Sequence, residues 1–148
     1  MDAKLEINRQ LYQLGYTLEP YKEEDESALY SIFREVVDTG SQFPYESNTK
    51  EEFHKRFFGQ GSHVYVCRSL EGRVVGGFYL RQNFPGRSGH IANAAYMIES
   101  GCRGQGIGTF MVKASLIFAK EMGFRAMQVN MVFSQNSGAV RLYQRLGF

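Results

Sequence analysis

The sequence predicts a sheet with helices on its faces, of the α/β or α+β class, and three observations lead there. Several short segments alternate in polarity or run apolar with the strand period of two. Others repeat apolar residues at the helical period. Their order is strands in succession, then strand, helix, strand and helix, which sets helices against a sheet rather than in a bundle.

Residues 16–21, "YTLEPY", alternate and predict a short first strand. Within residues 23–37, Ala28, Leu29, Ile32, Phe33 and Val36 share one helical face, and acidic residues crowd the first turn, where the helix dipole favours them. "GSQFPYESNTKEEF" follows as a loop, with Asn48 or Thr49 placed to cap a short helix through Phe58. "SHVYVCRS" and "RVVGGFYLRQN", joined by "LEGR", predict a hairpin. After the turn "NFPGRSG", residues 90–98, "HIANAAYMI", predict a further strand. A helix then runs to about Met122 and Gly123, burying Ile107, Phe110, Met111, Ala114, Ile117 and Phe118. Residues 125–133 alternate as a strand, and residues 137–146 predict a closing helix.

At 148 residues the chain is expected to form one domain around one core. Seventeen Lys and Arg against 15 Asp and Glu leave a charge of +2, without the basic stripe of a nucleic-acid binder. Cys67 and Cys102 have no metal or disulfide spacing, which predicts reduced thiols and no metal. No apolar run is long enough to span a bilayer and the N-terminus is not signal-like, so the expected location is cytoplasmic.

"CRGQGIGTF" opens the long helix with glycines at 104, 106 and 108. Glycines let backbone approach a ligand closely, and a helix N-terminus gathers unpaired N–H groups, so an anion fits there, with Arg103 beside it. A glycine-rich turn also caps helices for structural reasons alone. A P-loop would need Lys and then Ser or Thr after the last glycine, whereas Thr109 and Phe110 follow Gly108. A dinucleotide fold would set the turn after its first strand, but here several strands come first.

Arg103, Gly104, Gln105, Gly106, Ile107 and Gly108 resemble the R/Q-x-x-G-x-G/A signature of the GNAT acyltransferase superfamily. About thirty residues later, the length of one helix and one strand, Asn136, Ala139, Leu142, Tyr143, Leu146, Gly147 and Phe148 resemble its N-x-x-A-x-x-L-Y-x-x-L-G-F segment. The resemblance spans nearly the whole chain. It implies the GNAT fold, a mixed and mostly antiparallel sheet whose central strand pair splays, and transfer of an acetyl group from acetyl-CoA directly to an amine. Arg103, Gly104, Gln105, Gly106, Gly108 and Thr109 would then hold the cofactor's phosphates, and main-chain groups near Tyr96 and Ile98 would pair with its pantetheine arm. Asn136 would contact that arm, and Tyr143 would protonate the departing thiolate, a phenol and a thiol being close in ordinary pKa. The base stays open between His90, Glu99 and neither. Cys102 lacks the adjacent base that a thiol nucleophile needs.

"FYLRQNFPGRSGHIANAAYMI" and "NMVFSQN" further resemble the GNAT branch that acetylates proline analogues such as azetidine-2-carboxylate. That likeness implies a small amino or imino acid as acceptor, bound by Asn93 and Asn130, with Asn136 at the catalytic centre. Asn93 and Asn130 interrupt apolar strands, where a buried amide must bond to something, either backbone or substrate. Phe43 and Tyr45 are expected as walls of the acceptor site. A protein or peptide N-acetyltransferase and a non-catalytic acetyl-CoA sensor are the alternatives, and a homodimer is expected by analogy. The chain departs from the family at Ser100, Gly101 and Cys102, where Pro and an aromatic often stand. The family also continues past the position of Phe148 into further strands, so the domain is expected to end before them.

Overall fold

The computed structural model describes residues 2–40, 47–59, 61–84, 86–130 and 136–148. Its elements are α1 (Ala3–Gln13), β1 (Tyr16–Pro20), α2 (Glu26–Thr39), α3 (Lys50–Phe58), β2 (His63–Ser69), β3 (Val74–Gln82), β4 (Ile91–Ile98), α4 (Ile107–Glu121), β5 (Ala126–Gln128) and α5 (Ser137–Arg145). The strands form one sheet in sequence order. β1, β2, β3 and β4 pair antiparallel, and β4 pairs with β5 in parallel, as a crossover through α4 requires.

β3 is buried from Val74 to Leu80 because helices cover both of its faces. Phe78 and Leu80 pack with α1 and α4 through Ile7, Met111 and Phe118. On the other face Tyr79 packs with α2 and α3, where Phe33 and Phe53 lie 5.3 Å apart and Phe57 meets Tyr79 edge-on at 5.1 Å. Such ring pairs each add about 0.5–1.5 kcal/mol beyond burial, and this one fixes the tyrosine beside the site. Gly77 admits α2 directly onto β3, since a Cβ there would stand 2.6 Å from the Tyr65 carbonyl oxygen and 2.9 Å from Leu29 Cδ1.

The helix expected at residues 23–37 forms as a 3-10 turn, Glu23–Asp25, followed by α2. Thr49, not Asn48, caps α3 by accepting from the Glu52 N–H at 3.2 Å, while the Asn48 amide donates to Asp38 Oδ1 at 2.7 Å. Two expectations need correction. α1 has no counterpart in the sequence reading, although Asp2 caps it and Ile7 and Leu11 bury one face four residues apart. The strand expected over residues 125–133 is confined, among the described residues, to β5, and Val129 and Asn130 have already left the sheet. The reason is divergence from β4, which removes the ladder partner.

Candidate active site

Among the described residues, β5 follows β4 through the pairs Ile91↔Ala126, Ala92↔Met127 and Asn93↔Gln128, whereas β4 continues to Ile98. The Asn83 N–H donates to the Ile91 carbonyl at 2.9 Å and the Glu99 N–H to the Val75 carbonyl at 2.8 Å, so odd-numbered residues of β4 turn their main chain toward β3. Alternation sets the main-chain groups of Ala94, Tyr96 and Ile98 on the opposite edge, beyond the last β5 pair among the described residues. An extended ligand arm can pair with such an edge as another strand would. The Tyr96 side chain points into the core instead. Its hydroxyl donates to Ser115 Oγ at 2.6 Å, since the Ser115 proton is committed to the Val112 carbonyl, and burial raises the phenol's pKa far above its ordinary value.

The mouth of α4 lies beside this edge. Gly104 and Gly106 have φ of 80° and 87°, and Gly106 is the N-cap with no side chain satisfying the first turn. The first amides of the helix therefore face outward with the positive end of its dipole. Gly108 lies where β4, α4 and α5 meet, with a hypothetical Cβ 3.4 Å from Ile98 Cδ1 and 3.7 Å from Leu142 Cδ2. Tyr16 donates to Gln105 Oε1 at 2.8 Å, tying the loop to β1, and Arg145 donates to Thr109 Oγ1 at 3.2 Å. Arg103, next to Gly104 in the chain, and Arg145, bonded to Thr109, are both exposed. This set of donors fits a diphosphate. Arg145 and Tyr16 escape sequence reasoning because only the packing of α5 and β1 brings them to the loop.

Tyr143 packs with α5 against the α4 side of the core, its ring centroid 6.4 Å from that of Tyr96 and 5.4 Å from that of Phe148. Burial pushes its phenol up to about 12, so the near match with a thiol expected from ordinary values does not hold. At neutral pH the group is a proton donor. Asn136 caps α5, its Oδ1 accepting from the Ala139 N–H at 3.3 Å, and so fixes the helix that carries Tyr143.

A chain of amides closes the apex where β4 and β5 separate. Tyr79 donates to Asn93 Oδ1 at 3.3 Å, and Asn93 Nδ2 donates to the Gln128 carbonyl at 3.0 Å. Gln128 Nε2 donates to Asn130 Oδ1 at 3.0 Å, and Asn130 Nδ2 to Asn83 Oδ1 at 2.9 Å. Asn93 is buried, as its strand position predicts, and bonded to backbone. Asn130 is exposed and lies beyond β5, correcting the expectation of a buried strand amide. Tyr79, Gln128 and Asn83 are the members the sequence reading missed. Asn93→Ala should lower unfolding stability by about 1–3 kcal/mol in a denaturant melt, because the Tyr79 hydroxyl and Gln128 carbonyl lose their partner.

Glu99 is paired with Arg73 and accepts from Cys102 Sγ at 3.5 Å, and His90 Nδ1 lies 3.2 Å from the Arg87 carbonyl oxygen, so both base candidates have structural partners. Cys67 is buried, its thiol pushed up to about 12. Phe43 and Tyr45 lie outside the described residues. Among the described residues, no group of three or more His, Cys, Asp or Glu could hold a metal ion, and no helix is long and apolar enough to cross a membrane.

Residues 20–148 match the acetyltransferase (GNAT) family. The chain belongs to that family, and it is an acyltransferase with N-acetyltransferase activity of the GNAT type. N-acetyltransferase aca1 of Schizosaccharomyces pombe is 39% identical over 144 residues, covering 86% of this chain and 68% of that protein. The structure of a GCN5-related N-acetyltransferase from Kribbella flavida is 31% identical with a TM-score of 0.84, covering 90% of this chain and 82% of its own. A phosphinothricin acetyltransferase from Sinorhizobium meliloti, solved in complex with acetyl-CoA, shares the fold at 21% identity, with a TM-score of 0.79 and coverage of 90% of this chain and 74% of its own.

Proposed function

We propose that the chain transfers the acetyl group of acetyl-CoA to the amine of a small amino or imino acid. The observation that carries the proposal is the conjunction of the outward β4 edge with the unfilled amides of α4, both beside Tyr143. When bound, acetyl-CoA supplies an acyl group already activated as a thioester. The amides of Gly104, Gln105, Gly106 and Gly108, with Arg103 and the Thr109–Arg145 pair, hold its phosphates through charge-assisted bonds. Main-chain groups of Tyr96 and Ile98 align the arm, and Asn136 positions α5 beside it. Tyr143 keeps its proton and offers it to the departing sulfur. Asn93 and Asn130 frame the apex, and Phe43 and Tyr45 are assigned to the acceptor's walls. The small acceptor is supported by the likeness to the proline-analogue branch and by the shared fold with a phosphinothricin acetyltransferase.

The test is a thiol-release assay with acetyl-CoA against free amino and imino acids and short peptides. Turnover of the free acids is expected; turnover confined to peptides would refute the small acceptor, and binding without turnover would make the chain a sensor. For Tyr143, burial raises the folded-state pKa, so the phenol stays protonated until pH approaches about 12. Tyr143→Phe should therefore lower kcat without changing acetyl-CoA affinity, and the wild-type profile should show no descending limb from this residue below that pH. An unchanged kcat removes Tyr143 from the reaction.

A further inference from the structure

Arg81 stands directly across from Asn93 in the register of β3 and β4, and two residues from Tyr79. Strand alternation therefore sets Tyr79, Arg81 and Asn93 on one face of the sheet, the face covered by α2 and α3. The Arg81 guanidinium carbon lies 4.1 Å from the centroid of the Tyr79 ring, and Phe57 packs edge-on against that ring. The arginine is partly buried, and its other polar contact is a long one, Nη1 to Ser62 Oγ at 3.5 Å. Among the described residues, no carboxylate pairs with it. Arg68, on the neighbouring strand, engages both Glu19 and Asp25. A half-buried guanidinium laid on a ring with its fork unfilled is shaped for a planar anion.

Two further features point the same way. Both ends of the Asn93 amide are occupied, by Tyr79 and by the Gln128 carbonyl, so Asn93 shapes the apex without offering its primary bonds to an acceptor. Asn83 continues the alternation beyond Arg81 and holds a buried Nδ2 with no hydrogen-bond partner, a donor left over for an incoming oxygen. An acceptor carrying a carboxylate into this apex needs a cation to offset its lost hydration.

We infer that Arg81 receives the carboxylate of the acceptor, with Asn83 Nδ2 as a second donor, and so selects α-amino or α-imino acids over plain amines. The inference rests on the small-acceptor reading above. It is tested with proline and azetidine-2-carboxylate, each beside its carboxamide, as acceptors for the wild type, Arg81→Gln and Arg81→Lys. The wild type should prefer acid to carboxamide in kcat/KM. Arg81→Gln should erase that preference by raising KM for the acid about tenfold to a hundredfold, with kcat retained, and Arg81→Lys should restore part of it. Thermal melting and acetyl-CoA titration establish that each variant is folded and loaded. A wild type indifferent to the carboxylate, or an Arg81→Gln enzyme that keeps the preference, overturns the role of Arg81 while free-amine turnover stands. Turnover of peptides alone, or none at all, overturns the small-acceptor reading and this role with it; the wild-type ratio decides even if Arg81→Gln fails to fold.

Discussion

Gly106→Glu is expected to abolish acetyl-CoA binding. Gly106 has φ of 87° and caps α4, with nothing within 4 Å of where a Cβ would stand, so a side chain there enters the space in front of the first amides. Any L-residue pays about 1–2 kcal/mol for the left-handed backbone. The carboxylate adds repulsion against each phosphate of about 4 kcal/mol at 4 Å and an effective dielectric near 20. The fold should survive, since an acidic group at a helix N-terminus is itself favoured by about 0.3–1 kcal/mol. Gly106→Ala carries the strain without the charge and should bind measurably more weakly than the wild type. Titration calorimetry checks both. Wild-type affinity in the folded glutamate variant would show that the diphosphate lies elsewhere.

The largest loss of stability is expected from Arg68→Met. Asp25 is 2% exposed, and its Oδ1 accepts from Arg68 Nη2 at 2.8 Å while its Oδ2 accepts from the Lys22 N–H at 3.0 Å. Arg68 also reaches Glu19 at 2.9 Å, so one guanidinium ties the start of α2 to β1 and β2. Removing it strands a buried carboxylate, which costs about 3–5 kcal/mol, a large share of the roughly 5–15 kcal/mol available to a domain. Arg68→Met combined with Asp25→Asn should recover part of the loss, because the buried group is then neutral. Urea melts of the single and double variants decide it. A single-variant loss below about 1 kcal/mol would mean that water reaches Asp25 and screens it.

The sequence made the sheet-and-helix order legible because each element repeats its apolar residues at a local period, as Leu29, Ile32, Phe33 and Val36 do along α2. The glycine loop was legible for a related reason: glycine at a helix start has few local purposes. α1 was hidden because only Ile7 and Leu11 are buried in an otherwise polar segment. Side chains that meet across the fold left no periodic trace. Tyr16 and Gln105 are 89 positions apart, and Arg145 reaches Thr109 across 36. Asn130 was misjudged because alternation continues past the point where β5 parts from β4, and a pattern in one segment cannot register that its partner has gone.

The long pairing of β4 with β3 bears on what can meet the outer edge of β4. β4 is bonded to β3 from Ala92 to Ile98, whereas among the described residues β5 pairs with β4 between Ile91 and Asn93. The outward main-chain groups of Ala94, Tyr96 and Ile98 therefore belong to a strand held in register along its length from the β3 side, so whatever meets that edge meets a template already set.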